Sequence, residues 1–155
     1  MKFVIIGAGI VGLSIAETLI KKKLLSPENL VVLDKYAIPS DGTSTHNSGV
    51  LHAGLYYPPN SLKAKLSISG GYKLKEWCNE NNLPILNCGK LLVPFNAKDL
   101  SRLDKIFDNA IQNGCEVKQI DYSEAVKIQP GLTKQEKYLW SPKTAVFQPK
   151  LIIYK

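Results

Sequence analysis

The sequence predicts an α/β fold that begins with a strand–helix–strand unit. Two short apolar runs rich in β-branched residues, Lys2–Ile6 and Leu30–Leu33, have the composition of strands in a parallel sheet. Between them, apolar residues recur at helical spacing from Ile10 to Ile20 and are followed by three successive lysines. Because two parallel strands need a crossover connection, we expect these three elements to form one βαβ unit.

The first run is apolar throughout, so we expect the strand over Lys2–Ile6 to be buried on both faces. Only one parallel neighbour for it is evident, the run Leu30–Leu33. The predicted parallel sheet is therefore incomplete within these 155 residues.

The rest of the chain predicts a mixture of helices and strands. Residues 36–60 are rich in Pro, Gly, Ser, Thr and Asn, and an irregular stretch of this length in a compact domain is usually functional or disordered. A helix is expected over 61–80, with Leu62, Leu66, Leu74 and Trp77 on its apolar side. Further helices are predicted at 100–111 and 123–129, and strands at 90–93, 117–120, 138–140 and 145–147.

Composition excludes collagen, disordered chains and small disulfide-rich scaffolds, and the distribution of charge argues against one further class. With 45% hydrophobic and 21% charged residues, the chain has the composition of a globular domain. The net charge is +7, but Arg102 is the single arginine and most lysines are scattered, which argues against a specific nucleic-acid reader. Three cysteines without metal-ligand spacing predict neither a disulfide framework nor a metal site, and favour a reducing compartment.

The sequence Gly7-Ala8-Gly9-Ile10-Val11-Gly12 is a G-x-G-x-x-G motif between the first predicted strand and helix. In such a motif the first glycine permits a tight turn and the second lets the backbone approach a pyrophosphate. The third lets helix and strand pack closely. The motif therefore predicts a Rossmann-like dinucleotide site.

Asp34 strengthens this interpretation because it follows the second predicted strand and stands 22 residues after Gly12. A carboxylate at about 20 residues accepts hydrogen bonds from a ribose hydroxyl and repels a 2′-phosphate. NADP is thus disfavoured, whereas the motif leaves NAD and FAD open.

A polar loop over residues 43–54 carries hydroxyls, an amide, and the two histidines of the chain, His46 and His52. Small polar groups and bare backbone suit a surface around a flat, hydrogen-bonding ring system. Composition alone fits a solvated loop at least as well.

The segment from His46 to Tyr57, followed by Ser61–Ala64 and Asn87–Leu91 and preceded by the glycine motif, resembles a known family. It is similar to the L-2-hydroxyglutarate dehydrogenase/oxidase branch of the D-amino-acid-oxidase-like FAD-dependent oxidoreductases. The resemblance implies FAD as cofactor and oxidation of a small-molecule 2-hydroxy acid, L-2-hydroxyglutarate, to the 2-oxo acid. Electrons would pass to a quinone or to oxygen.

The same resemblance implies an architecture: a Rossmann-like FAD-binding βαβ unit with an incomplete parallel sheet, followed by the first part of an α+β substrate domain. Residues 1–80 would form the N-terminal part of the FAD-binding domain and residues 81–148 the first segment of the substrate domain. Residues 149–155 would begin the return to the FAD domain. Because family members are much longer, the chain is expected to be an N-terminal fragment whose isolated form binds FAD weakly or not at all.

Site residues follow from the resemblance position by position. His52 is the candidate catalytic group, and Tyr56 and Tyr57 are candidates for the substrate pocket, with core packing as their alternative role. The candidate cofactor-binding residues are Gly7, Gly9, Gly12, Asp34, Lys35, Thr45, His46, Asn47, Ser48, Gly49 and Val50.

Alternative functions remain open at this point. One is another FAD-dependent oxidoreductase of the same fold, of the glycerol-3-phosphate dehydrogenase or amino acid oxidase type. Another is a non-catalytic nucleotide-binding remnant. A cytoplasmic location is expected, with the periphery of the inner membrane as the alternative, and no nucleic-acid partner is expected.

Overall fold

The computed structural model describes residues 2–39 and 41–155, which form two compact units. The first unit holds the chain up to Gly49 together with Gln148–Lys155, and the second holds Val50–Phe147. The first unit thus ends at residue 49 before it resumes at Gln148. The domain boundary predicted at residue 80 stays a prediction. The helix over 62–80 belongs to the second unit, where it packs against a strand that follows it.

Helices and strands alternate along most of the chain. A single 3₁₀ turn, Pro27–Asn29, precedes the second strand. In chain order the elements are β1 (Phe3–Ile6), α1 (Ile10–Lys21), β2 (Leu30–Leu33), β3 (Val50–Leu51), α2 (Leu62–Glu80), β4 (Ile85–Leu86), β5 (Lys90–Leu92), α3 (Ala97–Gln112), β6 (Lys118–Ile120), α4 (Tyr122–Ile128), β7 (Tyr138–Ser141), β8 (Ala145–Phe147) and α5 (Pro149–Ile153).

The first unit contains the predicted strand–helix–strand unit. Strands β1 and β2 pair in parallel, with Phe3 opposite Leu30 and Ile6 opposite Leu33. Helix α1 connects them and packs against both. Its last turn carries Lys21, a cation that interacts favourably with the helix dipole. The βαβ prediction is confirmed.

The burial predicted for the first strand is wrong in this structure. Ile6 is 88% exposed and Val4 is 54% exposed. A strand is buried on both faces only when it has neighbours on both edges and helices on both faces. Among the described residues, β1 pairs with β2 alone, and α1 is the helix that packs on this pair.

The second unit contains two antiparallel sheets of three strands each. In one sheet β8 lies between β3 and β4, and in the other β7 lies between β5 and β6. The strands predicted at 90–93, 117–120, 138–140 and 145–147 are confirmed as β5 to β8. Strands β3 and β4 were not predicted, because two residues are too few to show a period.

The core of the second unit is built from two adjacent clusters of buried side chains. The larger one joins helix α3 to strand β7, and the smaller one joins helix α4 to the same strand. The first cluster contains Leu55, Leu103, Ala110, Cys115, Val117 and Leu139, and the second contains Ile120, Ala125 and Tyr138. Cysteines 78, 88 and 115 are free thiols.

Helix α2 buries the predicted apolar side only in part, since Leu74 and Trp77 are half-buried. Leu62 and Leu66 are 75% and 65% exposed, whereas Ala64 and Cys78 are buried. Ala64 and Cys78 are both small, which lets this side of the helix approach its neighbours closely. Within residues 2–39 and 41–155, no helix has the length and apolar character needed to cross a bilayer.

Candidate functional site

The glycine motif forms the connection between β1 and helix α1. Gly7 has φ +108°, a conformation that favours glycine, and its N–H donates to Leu33 O at 2.7 Å. A methyl group at position 12 would overlap the carbonyl oxygen of Gly7 and come within 3.3 Å of the Ile5 side chain. The third glycine therefore has the close-packing role that the motif predicts.

Asp34 lies immediately after β2 and reaches the glycine loop. Its Oδ2 accepts a hydrogen bond from Ala8 N at 2.6 Å, and its Oδ1 accepts one from Tyr36 N at 2.9 Å. The N–H of Tyr36, and then that of Ala8, lowers the pKa of the Asp34 carboxyl below its ordinary value. An ionised carboxylate has about four lone-pair directions, so Asp34 retains acceptor capacity for ribose hydroxyls.

Ser44 is a site residue that the sequence analysis missed. Its Oγ accepts a hydrogen bond from Ile10 N, the first residue of helix α1, at 3.1 Å. A methyl group at Gly9 would lie 3.2 Å from the same oxygen. The sequence identified residues 43–54 as a polar loop, but nothing in it singled out Ser44 as the residue that contacts the helix.

The polar loop is held together largely by its own side chains. His46 Nδ1 lies 2.9 Å from Gly42 O, and Asn47 Nδ2 donates to the carbonyl of Ser44 at 3.0 Å. Asn47 Oδ1 accepts from Gly49 N at 2.9 Å. These contacts give His46 and Asn47 a role in shaping the loop.

The remaining candidate cofactor-binding residues differ in their burial and in their contacts. Thr45 is buried, and its hydroxyl lies 3.3 Å from Gly42 O. Ser48 is exposed, and Val50 is half-buried at the start of β3. Lys35 places its ammonium 4.8 Å from the centre of the Tyr36 ring, an exposed cation–π contact.

In the second unit, His52 belongs to a cluster with an aromatic ring and a cation. The rings of His52 and Tyr56 meet edge to face, with 6.4 Å between centroids and 76° between planes. Lys90 Nζ lies 4.5 Å from the centre of the Tyr56 ring. Partial desolvation, and then the charge of Lys90, lowers the pKa of His52 below the ordinary histidine value. Both effects favour the neutral form of the His52 imidazole, which is the form that can accept a proton.

The loop that carries Tyr56 and Tyr57 is anchored to the end of helix α3. Asn113 Nδ2 donates to Tyr57 O at 2.9 Å, and Cys115 Sγ donates to Ala53 O at 3.0 Å. Leu55 is only 1% exposed and belongs to the larger core cluster. These contacts anchor the backbone of the loop that carries the two tyrosines.

Replacing Asn113 with alanine is expected to destabilise the second unit by about 1–2 kcal/mol, because the Tyr57 carbonyl loses its hydrogen bond. Chemical denaturation monitored by tryptophan fluorescence measures this loss. The control is Gln112→Ala, the neighbouring exposed residue of α3, which should change stability little. Equal stability of the two variants would contradict an anchoring role for Asn113.

The glycine loop, Asp34 and the start of α1 together fit a dinucleotide. The first N–H groups of a helix have no intrahelical partners. In α1 that of Ile10 donates to Ser44 Oγ, and the N–H groups that follow it in the first turn are suited to a pyrophosphate. Asp34 is brought to the same loop through Ala8. The βαβ unit and this site define a dinucleotide-binding protein of the Rossmann type.

Comparison with known proteins identifies a family within this class of dinucleotide-binding proteins. The model of the family "FAD dependent oxidoreductase" matches residues 2–154, and the chain belongs to this family. The chain is similar to the mitochondrial L-2-hydroxyglutarate dehydrogenase of Dictyostelium discoideum, at 34% identity over 94% of this chain and 33% of that protein. It is 36% identical to L-2-hydroxyglutarate dehydrogenase of Escherichia coli (strain K12), over 84% of this chain and 31% of that protein. The chain thus spans about a third of the length of these curated relatives.

A solved structure matches the fold. L-alpha-Glycerophosphate Oxidase from Mycoplasma pneumoniae with FAD bound superposes with a TM-score of 0.81 at 23% identity, covering 99% of this chain and 40% of that one. At this identity the likeness concerns the fold alone. The predicted α/β fold class and the resemblance to FAD-dependent oxidoreductases are both confirmed.

Proposed function

We propose that the chain belongs to an FAD-dependent enzyme that oxidises L-2-hydroxyglutarate to 2-oxoglutarate. The observation that carries the cofactor is the Asp34 carboxylate, which lies 2.6 Å from Ala8 N inside the glycine loop. The substrate is supported by the similarity to proteins named L-2-hydroxyglutarate dehydrogenase, at 34% and 36% identity.

The cofactor-binding residues divide by the part of FAD that they would meet. The backbone of Gly7, Gly9 and Gly12 would receive the pyrophosphate at the start of helix α1. Asp34 would accept hydrogen bonds from the adenosine ribose. The flavin and adjoining groups would lie along the remaining candidates, which are Lys35, Thr45, His46, Asn47, Ser48, Gly49 and Val50.

The reaction removes a hydride and a proton from the substrate. When bound, FAD would supply the acceptor for the hydride that leaves the carbon bearing the hydroxyl group. His52 would take the hydroxyl proton on its neutral imidazole, and the oxygen then forms the carbonyl of the 2-oxo acid. Tyr56 meets His52 edge to face and would restrict the orientation of the imidazole.

Two further assignments belong to the same proposal. The electrons leave the enzyme to a quinone or to oxygen, and the two acceptors are distinguished by whether turnover consumes oxygen. The protein works in the cytoplasm or at the periphery of the inner membrane, which cell fractionation distinguishes.

The test begins with the purified enzyme to which the chain belongs, incubated with FAD and desalted. We expect flavin absorption bands that stay with the protein, and turnover of L-2-hydroxyglutarate with an artificial electron acceptor. The D-enantiomer, glycerol 3-phosphate and L-proline serve as comparison substrates. A protein that stays colourless contradicts FAD binding by this chain. A yellow protein that oxidises glycerol 3-phosphate or L-proline instead contradicts the assigned substrate.

A further inference from the structure

Lys90 has a place in the His52 cluster that its sequence position did not reveal. It is the first residue of β5, is half-buried, and places Nζ 4.5 Å from the centre of the Tyr56 ring. The same ring meets His52 edge to face. Tyr56 thus contacts a cation and the candidate proton acceptor, and it brings the two to one small region of the second unit.

The backbone beneath Lys90 is fixed from both sides. Gly89 has φ +68°, and a methyl group there would overlap the ring of Trp140. Gly89 N donates to Thr144 O at 3.0 Å, and Lys90 pairs with Ser141 in the ladder between β5 and β7. The backbone contacts therefore fix the point from which the Lys90 side chain extends toward the Tyr56 ring.

The ammonium group of Lys90 has no carboxylate partner in the described part of the chain. Across residues 2–39 and 41–155, the ion pairs involve other cations, such as Lys143 with Glu116 at 3.2 Å. A cation–π contact leaves the N–H donors of the ammonium able to bind an anion. A half-buried lysine of this kind provides a site for a carboxylate.

We propose that Lys90 is a substrate-binding residue that holds a carboxylate of the anionic 2-hydroxy acid beside His52. This inference rests on the proposed function, and it adds a recognition residue to it. Tyr56 positions the ammonium through its ring face, and the pair selects acids over neutral alcohols. An anion at Lys90 also places the substrate hydroxyl within the region of the imidazole.

Other charged and titratable groups face His52 from the elements around it. The cavity that His52 lines is also lined by Tyr72, Lys75, Cys115, Glu116 and Lys143. Lys143 is paired with Glu116, and Lys75 Nζ donates to the carbonyl of Lys143 at 2.8 Å. Of the neighbouring charges, that of Lys90 contributes to the lowered pKa of His52, after desolvation. Removing the ammonium of Lys90 should therefore raise the pKa of His52.

The test measures ligand binding at His52 by NMR, on the full chain labelled at histidine and with FAD added. The probe is glutarate, a dicarboxylate without the hydroxyl group, and neutral glutaramide is its isosteric control. We expect glutarate to shift the His52 ring signals saturably and glutaramide to have no such effect. His52→Gln assigns the signals.

The decisive variants are Lys90→Met and Lys90→Arg, with Lys63→Met as the matched control. Lys63 makes the same kind of contact, 4.7 Å from the centre of the Tyr57 ring. Lys90→Met should weaken glutarate binding by at least about tenfold and raise the pKa of His52, whereas Lys90→Arg should retain most of the binding. Lys63→Met should behave like the unmodified protein.

Three outcomes overturn the proposal: glutarate that does not shift His52, glutaramide that binds equally well, or Lys90→Met that binds glutarate as tightly as the unmodified protein. Failure of the proposed function is seen separately, as absent flavin or absent turnover. Where turnover is observed, Lys90→Met should raise KM for L-2-hydroxyglutarate more than it lowers kcat.

Discussion

Replacing Gly12 with alanine is expected to abolish the retention of FAD on desalting. The added methyl group would overlap the carbonyl oxygen of Gly7, and backbone cannot move aside as a flexible side chain can. Overpacking of this kind costs about 1–3 kcal/mol, and its relief would displace the loop that holds the pyrophosphate. We expect FAD affinity to fall by at least about tenfold, measured by titration of flavin fluorescence.

The matched control is Gly70→Ala. Gly70 also lies in a helix, α2, but a methyl group there meets nothing within 4 Å. This change should leave FAD binding intact and stabilise the helix by up to about 1 kcal/mol, since alanine has the higher helix propensity. Equal retention of flavin by both variants would show that close packing at Gly12 is not needed for the cofactor.

Replacing His52 with asparagine should leave FAD bound and reduce kcat for L-2-hydroxyglutarate by about 10²–10⁴-fold, the usual contribution of a general base. Asparagine retains polarity but cannot accept the hydroxyl proton as a base. Retained flavin absorption in the variant separates a loss of proton transfer from a loss of cofactor. The rate is measured with an artificial electron acceptor at several pH values.

The pH profile gives an independent check on His52. Below its pKa the imidazole is protonated and cannot take the hydroxyl proton, so activity should fall as the pH falls. Because desolvation and Lys90 lower the pKa of His52, this loss should occur below the ordinary histidine value of 6.5. A His52→Asn variant that kept kcat within about threefold, with an unchanged acid limb, would remove His52 from the mechanism.

Much of the secondary structure was accessible from local patterns. Strands β1 and β2 and the intervening helix α1 follow directly from apolar periodicity and glycine placement. The contact of Ser44 with helix α1 was not predicted, because its partner Ile10 is 34 residues away and no local sequence pattern connects the two residues. The contact of Lys90 with the Tyr56 ring was not predicted for the same reason, since it arises from the packing of distant segments.

The sequence by itself determined the βαβ unit, the glycine loop and the acidic residue Asp34, because strand and helix periods and turn-forming glycines act over short distances. The tertiary structure alone decided that Ile6 is exposed and that Ala64, rather than Leu62, faces the core of its unit. It also decided that Lys90 meets Tyr56. Burial and side-chain neighbours depend on which distant segments pack together, and a local sequence pattern does not identify those segments.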